Sequence, residues 1–329
     1  VKLVVDVDLN SKLFSLPFAE ENSMLEILSK AKITQTSLPL EAFLCEKFAI
    51  EVEYDLPIAA ICANVDGICV AQSYWFRADP AFLVLQRDTF TLGEQLPLTL
   101  NSAETNQLVD SLNRHFNQDG LHFHVGVSGA WYLELIGDLS QFLPVSTTLP
   151  RVAMGKNMNY FLPTGDKANF WISLQNEIQM LLHEHPVNQI RESKGDQIVN
   201  SLWISGGGYL PISDRYQAPR NGIVIANSCL YEGIAKYANL NFAKLDTLGL
   251  ASSFSALIKA ANQDVLVHLP QDAYLDNWFY AFVDLLRTRK ISQLEVNFGW
   301  YEQTITATIK PYELNKFWKK TKTLQHFFK

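Results

Sequence analysis

The chain has 329 residues, of which 48% are hydrophobic, enough to bury a sizeable core and at this length to form two medium domains rather than one. Its formal charge of −7 opposes the electrostatic footprint that nucleic-acid binding requires. No apolar run reaches the roughly 18 to 20 residues of a bilayer span, so neither nucleic acid nor membrane is an expected partner.

In chain order, VKLVVDV reads as a short buried strand, and Leu25, Ile27 and Leu28 give residues 20–31 helical spacing, a βα start. The first residues lack a basic region, an apolar stretch and a small-residue cleavage site, so a cytoplasmic protein is expected. Residues 38–48 and 57–65 predict two short helices, the second opened by Pro57 where a missing N–H does no harm. From 72 to 100, aromatic and β-branched residues punctuated by Gly and Pro predict antiparallel strands. Asn101 or Ser102 then caps a helix to about Phe116, and LHFHVGV with AWYLELI predicts a hairpin, completing an α+β insert. The longest predicted helix spans 167–185, because Trp171, Leu174, Ile178 and Leu181 recur at helical spacing and Pro186 blocks continuation. Residues 200–205 predict a buried strand running into three glycines, and 222–226 another strand feeding a helix over 229–238. VLVHL, a helix over 272–287, and the strands LEVNF and TITATIK, expected as a hairpin at a sheet edge, follow. The basic end, KFWKKTKTLQHFFK, predicts a solvated helix with Phe317, Trp318 and Phe328 turned inward. Cys45, Cys62, Cys69 and Cys229 have neither zinc nor disulfide spacing and are expected as buried thiols.

Chemistry-bearing residues concentrate in HEHPVNQIRESKGDQIVNSLWISGGG, residues 183–208. His183 and His185 would point about 200° apart on one helix, so joint metal ligation requires the helix to end first; one packed and one hydrogen-bonding histidine is the plainer expectation. If a helical turn resumes after Pro186, His185, Asn188 and Arg191 share a face that would hold an anion or serve for capping and local salt bridges. Gly206, Gly207 and Gly208 permit close approach of a ligand or a tight turn, but the Lys and Ser/Thr of a phosphate-cradling loop are missing. Arg77 and Asp79, in WFRADP, are expected as an ion pair before a substrate-binding arginine. No GxSxG or HExxH pattern is present, and Asp6, Asp8, Asp272 and Asp276 are isolated acids.

Taken in order, WFRADPAF, QRDTF, LNRHF, GLHFHV with WYLEL, HEHPVNQIRESKGDQIVNSLWISGGGYLP and ANSCLYEGIAKYANL resemble successive segments of the archaeal-type cofactor-independent phosphoglycerate mutases. The nearest likeness is to bacterial RpfE-type regulatory proteins, divergent relatives of those mutases, over about residues 72–240. The resemblance implies an alkaline-phosphatase-like α/β core, with a mostly parallel sheet between helices, built from 1–70 and 147–329. It also implies an inserted α+β substrate-type domain over 71–146. It places Arg77, His185, Asn188, Arg191 and the Gly206–Gly208 loop where a phosphorylated three-carbon acid would sit.

The mutases' metal-holding Asp-Gly pair is here VVDVDLN, with Asp6 or Asp8 and no glycine, and their Ser-Asp-Thr nucleophile stretch is TSLPLEAFL, with Ser37 one residue from position. The stretch VLVHLPQDAYLDNW supplies only His268, Asp272 and Asp276 toward their later metal motifs, and Ser205 replaces the arginine before their Gly-rich loop. Phosphoryl transfer through a phosphoserine needs an activated hydroxyl and divalent ions, whereas anion binding needs neither. The expected function is therefore that of a catalytically degenerate, cofactor-free relative that regulates, or binds a small phosphorylated or carboxylated metabolite. Two alternatives stand beside it: an active mutase or phosphatase using Ser37 with Asp6, Asp8 and His268 around Mn²⁺ or Zn²⁺, and a protein-interaction module with a purely structural cleft.

Overall fold

The computed structural model describes residues 1–9, 23–70, 72–86, 89–212, 222–245, 263–270, 275–316, 318–320, 322 and 324–327, the backbone alone at 276, 324 and 325. Residue 71, Asp272, Phe317, Phe328 and the side chain of Asp276 lie outside the described residues. The strands are β1 (Lys2–Asp8), β2 (Lys32–Thr36), β3 (Tyr74–Ala81), β4 (Leu83–Gln86), β5 (Thr89–Leu92), β6 (Leu121–Val125), β7 (Trp131–Leu135), β8 (Ser201–Gly208), β9 (Gly222–Ala226), β10 (Asn241–Lys244), β11 (Asp264–Leu269), β12 (Gln293–Trp300) and β13 (Gln303–Ile309). The α-helices are α1 (Ser23–Lys30), α2 (Leu40–Lys47), α3 (Ile58–Val65), α4 (Ser102–Phe116), α5 (Pro150–Ala153), α6 (Ala168–His183), α7 (Pro186–Lys194), α8 (Cys229–Tyr237), α9 (Leu275–Arg287) and α10 (Leu324–Phe327).

The chain forms two compact units, residues 1–50 with 213–329, and residues 51–212. The division falls outside the expected boundaries at 70/71 and 146/147, so α3, α6, α7 and β8 belong with the second unit. The reason lies in the pairing of β8: it runs antiparallel to β3, Asp79 opposite Trp203, and does not join the parallel sheet.

The first unit is a mixed α/β layer structure with a largely parallel sheet, ordered β10-β9-β11-β1-β12-β13-β2. Strands β10, β9, β11, β1 and β12 are parallel, and β13 and β2 complete the sheet antiparallel to their neighbours. The β12–β13 hairpin is thus not the edge; β2, the polar stretch KITQT, covers it. Period-two alternation sorts the side chains. Leu3, Val5 and Val7 join Val265, Val267, Leu294, Val296, Phe298 and the apolar stripes of α1 and α9 in one core cluster. The opposite face carries Asp6, Asp8, His268, Glu295, Asn297 and Thr306.

Glu295 lies between Lys2 (2.7 Å) and Lys47 (2.8 Å). Burial pushes its carboxyl up, but Lys47 and Lys2 outweigh this and hold it at about 2, below its ordinary 4.5. A depressed carboxylate stabilises the fold above its unfolded pKa and loses that contribution as pH falls through the folded one. Wild type is therefore expected to exceed Glu295→Gln in urea midpoint near neutral pH, with the difference shrinking as pH falls from about 4.5 toward about 2; a constant difference would contradict the assignment.

The second unit is an antiparallel sheet, β6-β7-β3-β8, beside a separate β4–β5 ribbon. Helix α4 starts as expected, at a capping box in which Asn101 accepts from the Glu104 amide at 3.0 Å and Glu104 accepts from the Asn101 amide at 2.9 Å. Trp171, Leu174, Ile178 and Leu182 of α6 are buried in one cluster with Phe76, Leu108, Leu112, Phe116 and Leu133.

The expected thiol state holds in part: Cys45 is a buried thiol, Cys69 an exposed one, and neither Cys62 nor Cys229 is a free thiol. Trp318 is exposed rather than turned inward.

Candidate functional site

In the first unit a polar row crosses the sheet, because the register sets Asp6 beside His268 on β11 and beside Asn297 on β12, and Asn297 beside Thr306 on β13. Asp6 is fully buried. One of its oxygens accepts from Asn297 Nδ2 at 2.7 Å and the other from Tyr231 Oη, on α8, at 3.0 Å. Asn297 Oδ1 accepts in turn from Thr306 Oγ1 at 2.8 Å. Burial raises the Asp6 pKa, with Lys47 and the two hydrogen bonds pulling the other way. Toward the carboxyl ends of the strands, His268 Nε2 meets Asp8 Oδ2 at 3.0 Å, and its ring stacks on Tyr231 at 4.2 Å between centroids. Crevices outside the carboxyl ends of parallel strands are where such sheets receive ligands.

Ser37 follows β2, which runs parallel to β1, so it lies exposed at the same end of the sheet. Three strand spacings separate β2 from β1, roughly 14 Å. Among the described residues, the side chains do not assemble a set for the divalent ions that the resemblance implies. Each Asp6 oxygen accepts from one uncharged donor, His268 meets one Asp8 oxygen, and among the described residues no three His, Cys, Asp or Glu side chains that could hold a metal ion converge. Sequence reasoning noted Asp6, Asp8 and His268 but missed Tyr231, Asn297 and Thr306. The alternation in LEVNF and TITAT, which puts Asn297 and Thr306 on the face opposite the valines, was the signal for the last two.

In the second unit, His185, Asn188 and Arg191 do share one face of α7, and that face is turned inward, each residue being buried. His185 caps α7: its Nδ1 accepts from the Val187 amide at 3.2 Å, which places the ring proton on Nε2, donating to Ser111 Oγ at 3.0 Å. Burial and then Arg114 lower its pKa, favouring this neutral form. Asn188 donates to the carbonyls of Leu182 and Val199 and accepts from the Val199 amide. Arg191 donates from Nε to the Gln197 carbonyl at 2.7 Å and from Nη1 to both Glu104 oxygens, at 3.0 and 3.1 Å. The polar atoms of this face are committed to the fold.

The three glycines are strand, not turn. Gly206 and Gly208 face α3, where a Cβ would fall 3.2 Å from Ile58 Cβ and 2.5 Å from Pro57 Cβ; Gly207 faces the other way, where a Cβ would meet the buried Phe76 ring at 2.2 Å. Only glycine lets this strand pass between the two layers. The Gly206 amide donates to Thr147 Oγ1 and that of Gly207 to Asp55 Oδ2, so neither is open to an anion. Burial pushes Asp55 up to about 6 against the hydrogen bonds it receives from Thr147, Gly207 and Leu56.

Arg77 pairs with Asp79 as expected and donates to Tyr132 Oη at 3.3 Å, its guanidinium 5.0 Å from the Tyr132 ring centroid. Tyr132 in turn donates to Asp66 at 3.1 Å. The Arg77 side chain keeps 16% of its surface exposed, and among the described residues only part of its donor fork is used. Arg77 is therefore the expected ligand residue best placed to meet a solute.

No family model matches the chain. It is similar to 2,3-bisphosphoglycerate-independent phosphoglycerate mutases: that of Methanosarcina acetivorans is 28% identical over 144 residues, covering 43% of this chain and 36% of the relative. A probable mutase of Geobacter sulfurreducens is 25% identical over 197 residues, 59% of this chain and 49% of the relative. That of Methanothermobacter thermautotrophicus is 30% identical over 146 residues, 43% and 35%. The chain thus spans less than half of each relative and is a low-identity homologue of these mutases. Among solved structures, the PH0037 protein of Pyrococcus horikoshii shares the fold, with a TM-score of 0.50 at 14% identity over 94% of this chain and 87% of that one.

Proposed function

We propose that the chain is a catalytically degenerate relative of the cofactor-independent phosphoglycerate mutases, regulatory in role, that binds a small phosphorylated or carboxylated metabolite without transferring its phosphate. The observation that carries this reading is the closed network around Asp6. A carboxylate that accepts from Tyr231 and Asn297, beside an Asp8–His268 pair, supports this reading, since each group has a partner within the fold. Without divalent ions to take up spreading negative charge, transfer through a serine lacks several kcal/mol of transition-state stabilisation. Binding survives that loss, because it needs only donors such as Arg77.

Calorimetric titration with 2- and 3-phosphoglycerate and with unphosphorylated three-carbon acids tests the ligand. Saturable heat for at least one of them is expected, weakened tenfold or more by Arg77→Ala; silence across the panel would remove the ligand from the proposal. A second reading, an active mutase or phosphatase, is favoured by Ser37, Asp6 and Asp8 lying at one end of one sheet.

A further inference from the structure

At the opposite end of that sheet, where β1, β2 and β12 begin and β13 ends, basic side chains gather. Arg289 lies in the turn before β12, Lys310 follows β13, and Lys319 and Lys320 lie in a turn beyond it; all four are exposed. Of the carboxylates beside them, Glu26 is engaged with Lys30 and Arg287, and Glu313 with Lys316. Two aromatic side chains share this surface, Tyr312 and Trp318, each 67% exposed. The segment that carries them is tied down on both sides of Trp318. Before it, Lys30 Nζ donates to the Leu314 carbonyl at 2.8 Å; after it, the Lys322 amide donates to Ser29 Oγ at 3.0 Å. A tryptophan that is 67% exposed thus lies beside exposed lysines, on a chain whose net charge is −7.

We propose that this pole of the first unit docks on an anionic lipid bilayer surface, independently of any metabolite bound elsewhere. Tryptophan and tyrosine partition to the water–lipid boundary, and each lysine close to an anionic leaflet strengthens binding about fivefold. Among the described residues no helix is long and apolar enough to cross a membrane, so the contact is peripheral. The exposed cations are mostly lysines, point charges suited to a diffuse layer of headgroups, where phosphate-specific readers favour the arginine fork.

The test is co-sedimentation of the chain with vesicles of phosphatidylcholine alone and with added phosphatidylglycerol. Binding is expected only to the anionic vesicles and to weaken with salt. The double variant Lys319→Glu, Lys320→Glu is expected to lose about thirtyfold or more, and Trp318→Ala several-fold, with melting curves unchanged because these side chains are exposed. Absent binding, equal binding to neutral vesicles, or variants that bind like wild type would overturn the proposal. So would capture of single-stranded oligonucleotide by the same residues in place of vesicles.

Discussion

Replacing Asn188 with alanine is expected to lower the unfolding free energy by about 3 to 5 kcal/mol, read as a fall in the urea midpoint. The side chain is 3% exposed and makes three hydrogen bonds, to the Leu182 carbonyl (2.8 Å), the Val199 carbonyl (2.7 Å) and the Val199 amide (2.8 Å). Truncation leaves the buried Val199 N–H and carbonyl without partners, at about 1 to 3 kcal/mol each, partly offset if water enters, while the Leu182 carbonyl keeps the amides of Glu184 and His185. Asn188→Asp should fare no better, since a carboxylate would face both carbonyls with no donor to offer them. A loss below about 1 kcal/mol would contradict the structural role. Had Asn188 been a ligand contact, alanine would spare stability and remove affinity instead.

The second large effect is at Asp6. Asp6→Ala strands the Tyr231 hydroxyl and the Asn297 amide in the first unit's interior and is expected to cost about 3 to 4 kcal/mol. Asp6→Asn should cost about 1 kcal/mol or less. Its oxygen can accept from Asn297 Nδ2, its amide can donate to Tyr231 Oη because a hydroxyl also accepts, and it removes a buried charge whose pKa is already raised. Comparison of the two melts separates a hydrogen-bond network from a metal ligand: for a ligand, asparagine would be nearly as damaging as alanine once the ion is lost. Equal damage from both substitutions would count against the network.

Much of the fold was legible in the sequence. The caps and breakers around α4, α6 and α7, the apolar stripe on α6 and the strands β1, β9, β11, β12 and β13 all follow from local pattern. What local pattern does not carry is which strands pair. The run Ser201–Ile204 reads as a buried strand in any sheet, and only its antiparallel register with β3 moves it out of the parallel core. The edge strand β2 was missed because KITQT is mostly exposed and offers no apolar alternation. At the candidate site, Arg77 with Asp79 was read as it stands, and the shared face of His185, Asn188 and Arg191 was read correctly from spacing. Its inward orientation was not, since that depends on Glu104 and the 197–199 segment, distant in sequence. The glycines illustrate the same limit: three in a row signal close approach, and here the approaching groups are Pro57, Ile58 and Phe76.

The measurement that bears most directly on the degenerate-mutase reading is interconversion of 3- and 2-phosphoglycerate by the purified chain, with Mn²⁺ or Zn²⁺ supplied. The expected result is no turnover above buffer and no difference between wild type and Ser37→Ala. Metal-dependent turnover that disappears in Ser37→Ala would contradict it.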